Sequence, residues 1–189
     1  MVVKKIIQNC KKTKCITIYE DHENEIQWIG DGYSLYPLHK MPKFDTETIC
    51  RAYDISEKQA EKIHFVHEDE LPTLLCYDDI DDGENVLDPI KMALIHEGAY
   101  VQPYMTSQGI KFMNQTYLAP VEDEGDMFME VYERFTTRGN MYFAVKTGMQ
   151  LLAIIMPIAV VSESFVDTLR EIYTRSKVML ESEGNQNDA

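Results

Sequence analysis

The sequence predicts an α+β fold: a mainly antiparallel sheet built from hairpins, with a helical hairpin and a long C-terminal helix packed on it. Three observations carry this expectation. Runs of alternating apolar and polar residues are separated by glycine-containing turns, no strand-helix-strand rhythm recurs, and residues beyond 163 repeat at helical spacing.

Residues 15–19 and 25–29 alternate as on a half-buried sheet, Gly30-Asp31-Gly32 supplies a tight turn, and residues 33–36 return before Pro37. Residues 1–38 therefore read as a small antiparallel meander. Its basic beginning, with Lys4, Lys5, Lys11, Lys12 and Lys14, is expected to be a solvated segment bordering an acidic body. After Pro42 the period changes. Ile49, Ala52 and Tyr53 share a helical face behind an N-cap at Asp45 or Thr46, and Ser56 opens a second short helix through Ala60, Ile63 and His64.

Residues 68–84 are the most acidic stretch and read as a mobile surface connection, with a possible lobe boundary at 77–88. Asp88-Pro89 resembles a helix entry leading into residues 90–95, ended by Gly98. Residues 100–104 and 110–118 flank a Ser107-Gln108-Gly109 turn, and a second acidic loop follows at 121–126. Residues 128–135 fit neither period. Residues 141–146 and 149–158 flank Thr147-Gly148 and predict a central buried strand, or a strand that runs on into a short apolar segment. In the last element, Ser164 and Asp167 form a capping box, and the Phe165, Leu169 and Ile172 face is expected to lie across the sheet. One domain over residues 1–183 and a polar tail at 184–189 complete the expectation.

Composition narrows the class. A chain of 189 residues, 44% hydrophobic and 26% charged, has the make-up of a single globular domain and is no collagen, rod or wholly disordered chain. Its net charge of -14 disfavours phosphate backbones and anionic lipid. The uncharged run at 147–162 is shorter than the ~20 residues that span a bilayer. The four cysteines never form a C-x-x-C pair, and residues 1–14 lack the apolar stretch of a secretory signal, so a cytoplasmic location is expected.

Motifs for chemistry are sparse. The chain carries no G-x-S-x-G, S-x-x-K, Walker or G-x-G-x-x-G pattern, so no catalytic residue and no cofactor is assigned. His64, His67 and Glu68 are candidate metal ligands if a helix places both imidazoles on one face. The acidic run 78–84 fails the EF-hand register: with Gly83 sixth, the third position is Ile80 and the twelfth is Pro89. Cys50 and Cys76 lie among apolar neighbours that raise a thiol pKa.

Ile49, Ala52, Ile55, Ser56, Ala60 and Ile63 occupy positions that resemble the helix-turn-helix of bacterial regulators, with Asp54 where that family has a turn glycine. The resemblance implies a recognition helix whose Lys58 and Lys62 would face nucleic acid beside Glu57 and Glu61. Ile155-Met156-Pro157-Ile158 is similar, over four residues, to the last strand of bacterial DNA sliding clamps, though here it precedes a helix. The leading expectation is a non-catalytic accessory or regulatory protein that works by protein-protein contact, as a homodimer, with its acidic loops docking a basic partner. The alternatives are a DNA-binding regulator or replication accessory factor using residues 46–63, and a metal-dependent hydrolase using His64 and His67.

Overall fold

The structure, a computed structural model, describes residues 1–92, 94–96, 98–122, 128–158 and 163–184, with the side chains of 164–175 in the final helix. It is mixed α+β. In chain order the elements are α1 (Val3–Thr13), β1 (Cys15–Asp21), β2 (Ile26–Gly30), β3 (Ser34–Pro37), α2 (Thr46–Ala52), α3 (Glu57–Ala60), β4 (His64–Glu68) and β5 (Asn85–Val86). Then come β6 (Leu94–His96), β7 (Ala99–Thr106), β8 (Gly109–Asn114), a 3-10 turn (Gln115–Tyr117), β9 (Met129–Phe135), β10 (Met141–Thr147), β11 (Gln150–Ile155) and α4 (Glu163–Gly184).

Eight strands form one sheet in the order β4-β1-β2-β3-β11-β10-β9-β5, and β6-β7-β8 form a second. The large sheet is mostly antiparallel but mixed, because β1 and β4 run parallel. Its two halves meet where Leu35 and Ser34 of β3 pair with Ile154 and Ile155 of β11. Close approach is built into the β2–β3 turn: a Cβ on Gly30 would lie 1.9 Å from the Ser34 carbonyl oxygen.

Residues 1–14 are a correction to the sequence reading. They form a helix, not a solvated segment or a strand, because Val3, Ile6, Ile7 and Cys10 recur at 3.6-residue spacing and are buried against the sheet. Lys4 and Lys5 stand between them, Lys11 and Lys12 follow, and together they hide that period. Burying Ile6 and Ile7 contributes about 1.5–3 kcal/mol each. Lys14 ends the helix at a left-handed φ of 57°, its N–H donating to the Cys10 carbonyl.

A second correction concerns residues 88–95. The expected helix is absent: Pro89 bridges Tyr104, the Ile90 N–H donates to the Pro103 carbonyl, and the Gln102 side chain donates to the Ile90 carbonyl. Pairing with β7 satisfies this backbone and buries Ile90, which outweighs the local helix signal. In α4 the buried face is Leu169 with Val166 and Tyr173, packed on Ile90, Val101, Ile110 and Phe112 of the small sheet region. Ile172, expected inward, is 46% exposed. Residues 185–189 of the expected tail, 123–126 of the second acidic loop and 159–162 of the uncharged run lie outside the described residues. Among the described residues no helix is long and apolar enough to cross a membrane.

The large sheet is covered on both faces. One face, with Ile16, Ile18, Ile29, Phe143 and Val145, packs against α1, the α2–α3 segment and the small sheet. The other, with Trp28, Leu35, Tyr142, Ala144 and Ile154, is covered by residues 71–84. This acidic stretch, read from sequence as a mobile connection, is a strap tied down along its length. The Thr137 N–H donates to the Leu74 carbonyl, the Cys76 N–H to Tyr142 Oη and the Leu151 N–H to Asp79 Oδ1.

Arg134 supplies the main tie. Its side chain has no exposed surface, and its guanidinium donates to Glu84 through Nε (2.8 Å) and Nη2 (2.5 Å), to the Asp78 carbonyl (2.7 Å) and to the Asp79 carbonyl (3.2 Å). Lys146, only 4% exposed, donates to the other Glu84 oxygen and sits 4.6 Å from the Tyr132 ring centre. Glu84 thus pairs with two buried cations, one through each oxygen. Replacing Glu84 with Gln strands both and is expected to cost about 3–5 kcal/mol in urea unfolding. Glu47→Gln, which breaks the fully exposed pair with Arg51, should leave the midpoint unchanged.

Candidate functional site

The β1–β2 turn begins the site. Asp21 ends β1 and its carboxylate accepts from the Asn24 N–H (3.1 Å), from Asn24 Nδ2 (3.0 Å) and from Trp28 Nε1 (3.3 Å). Burial pushes this carboxyl upward, but those donors outweigh it and hold Asp21 below the usual carboxylate range. Antiparallel pairing sets Asp21 opposite Ile26 and Tyr19 opposite Trp28, so all four side chains share the face that the strap covers.

The strap supplies the opposite wall. Tyr77 meets Trp28 edge to face, with ring centres 5.1 Å apart and planes at 72°. Asp78 and Asp79 follow, their backbone carbonyls fixed by Arg134 and the Asp79 side chain fixed by the Leu151 N–H. Between strap and sheet lies a cavity of about 350 Å³, lined by Asp21, Trp28, Pro37, His39, Tyr77, Asp78 and Asp79 among others. Its size is that of a small-ligand site. Three aspartates line it, no Lys or Arg does, and none of the three takes part in an ion pair among the described residues. The Tyr77 hydroxyl is buried without a hydrogen-bond partner. Carboxylates attract cations, and aromatic ring faces accept them.

The residues singled out in the sequence lie elsewhere. His64, His67 and Glu68 are on strand β4, not on a helix, so the three-residue spacing points the two imidazoles to opposite faces. Among the described residues no group of three or more His, Cys, Asp and Glu side chains is placed to hold a metal ion. His67 instead hydrogen-bonds Glu20 at 3.1 Å, and Glu20 also accepts from Gln27 (2.6 Å) and Lys43 (2.7 Å). Gln27 in turn holds both the N–H and the carbonyl of Phe44, which fixes the approach to α2.

The α2–α3 segment keeps part of its resemblance. Asp54 takes a left-handed φ of 52°, as a turn glycine would, and Ser56 and Gln59 form a capping box. The recognition helix is not present at useful length: α3 has four residues, because the chain turns into β4 with the His64 N–H on the Lys14 carbonyl. Lys58 and Lys62 are exposed there. Ile158, in the clamp-like run, donates its N–H to the Phe112 carbonyl of β8. Burial pushes the Cys50 and Cys76 thiols up.

The cavity residues themselves escaped the sequence reading. Asp21 and Trp28 could have been joined by extending the β1–β2 register through the turn. Nothing local signals that Tyr77, Asp78 and Asp79 fold back over that strand pair.

The Glu20 cluster makes a pH prediction. Burial raises the Glu20 carboxyl, but hydrogen bonds from Gln27, Lys43 and His67 outweigh it and bring it to about 2. A carboxyl depressed in the folded state stabilises the protein above its unfolded pKa of ~4.3, and that contribution is lost as pH falls toward the folded value. Urea midpoints taken from about pH 5 down to about pH 3 should therefore fall less steeply for Glu20→Gln than for the wild type.

Compared with known protein families, curated proteins and solved structures, the chain finds no match.

Proposed function

We propose that the protein acts by protein-protein contact, as an accessory or regulatory partner, and that the cavity between strap and sheet receives a basic side chain of the protein it binds. The observation that carries this reading is the cavity's composition: three aspartates and an edge-to-face Trp28–Tyr77 pair, with His39 at its wall and no lysine or arginine of the chain lining it. A net charge of -14 adds a long-range field that draws a basic partner in and discriminates against acidic ones.

The ammonium of a lysine fits this chemistry on two counts. It replaces water around the carboxylates with charge-assisted hydrogen bonds, and it gains from the ring faces once desolvated. An arginine is accommodated by the same groups. Self-association is a separate contact, carried by apolar surface against the charge: the large apolar side chains Ile95, Tyr100, Phe128 and Met149 are more than half exposed, and light scattering at micromolar concentration should give twice the chain mass of 21.9 kDa.

Trp28, the single tryptophan, reports on the cavity. Titration with N-acetyl-lysine methylamide should change its fluorescence, while the neutral N-acetyl-norleucine methylamide should not. Asp78→Asn should weaken the lysine compound by about tenfold, and added salt should weaken it further. An equal response to both compounds, or none to either, would overturn the assignment.

A further inference from the structure

Beside the acidic cavity lies a second opening of a different kind. A cleft of about 180 Å³ is lined by Tyr19, Tyr33, Leu35, Pro72, Leu75 and Met156 together with Thr17, Gly32 and Ser34, and no charged residue borders it. The two openings share their walls. On β1, Thr17 and Tyr19 line the cleft and Asp21 lines the cavity; on the strap, Pro72 and Leu75 line the cleft and Tyr77, Asp78 and Asp79 line the cavity. Thr17, Tyr19 and Asp21 are alternate residues of one strand and face the same side.

We infer that cavity and cleft form one bipartite surface for an extended segment of the partner protein, taking a lysine or arginine in the cavity and an aliphatic side chain in the cleft. This rests on the reading of the cavity as a site for a basic side chain. The occupant follows from charge and spacing. The cavity is acidic in a chain of net charge -14, so the segment is basic there. The cleft is uncharged and walled by aliphatic and aromatic groups, with Tyr33 58% exposed at its rim, so the neighbouring anchor is apolar.

Spacing sets the motif. Thr17 and Asp21 are four residues apart along β1, about 13 Å at the usual strand rise. An extended peptide presents side chains on one side at every second residue. The aliphatic and cationic residues are therefore two or four positions apart, never adjacent. A single basic residue without its apolar neighbour fills half of the surface.

The test uses two five-residue peptides, blocked at both ends, on a glycine-serine frame. One carries leucine first and lysine last; the other has glycine in place of the leucine. Trp28 fluorescence is followed with wild-type protein, Asp78→Asn and Tyr33→Ser. The leucine-lysine peptide should bind wild type about tenfold more tightly than the glycine-lysine peptide. Tyr33→Ser should bring the two peptides to one affinity without weakening the glycine-lysine peptide, and Asp78→Asn should weaken both.

Equal affinity of the two peptides for wild type, with both weakened by Asp78→Asn, overturns the bipartite surface and leaves the cavity reading intact. A leucine preference that survives Tyr33→Ser places the aliphatic group elsewhere and overturns it equally. Failure of wild type to bind either peptide overturns both readings together.

Discussion

The ion cluster of Arg134, Glu84 and Lys146 is the constraint on which the rest of the molecule depends. A sheet with apolar residues on both faces needs two covers, and here one cover is an irregular, acidic stretch of chain. Irregular backbone laid on an apolar face would leave carbonyl groups unpaired at a cost of roughly 1–3 kcal/mol each. Arg134 removes that cost at two of them and binds Glu84 through Nε and Nη2. The guanidinium is suited to this task because it stays charged and its donors are fixed in a plane.

Neighbouring positions on β9 divide the work between the two faces. Arg134 points to the strap, whereas Glu133, also buried, accepts from the Ser107 N–H at 2.9 Å and lies 3.4 Å from Asn85 Nδ2. Alternation along one strand thus fastens the β7–β8 turn on one side and residues 78–84 on the other. The cavity inherits its geometry from this arrangement. Asp78 and Asp79 hold their places because their carbonyls are fixed from below, and Trp28 is positioned by its own hydrogen bond to Asp21.

Legibility in the sequence followed the range of the forces involved. Alternation at 15–19 and 25–29, and glycines at turns such as Gly32 and Gly109, are local signals whose cause lies within a few residues; both glycines take positive φ. The N-terminal helix is also a local signal, masked because lysines interrupt the apolar period of Val3, Ile6, Ile7 and Cys10. Elsewhere the deciding contact is remote. Residues 88–92 obey β7, β4 obeys β1 through a parallel pairing that no short pattern announces, and the strap obeys Arg134 some fifty positions later. The candidate site stands on such a contact. A run of aspartates looks the same whether water or a buried guanidinium is its neighbour.

The junction between β3 and β11 joins residues 119 positions apart in the chain, Leu35 and Ile154. During synthesis the ribosome releases the first three strands long before their neighbour exists. For that interval the nascent protein carries a bare strand border, the kind of surface that chaperones shield and that sticks to other copies when it is left open. Completion of the sheet is consequently a late event, governed by how soon the C-terminal third leaves the exit tunnel.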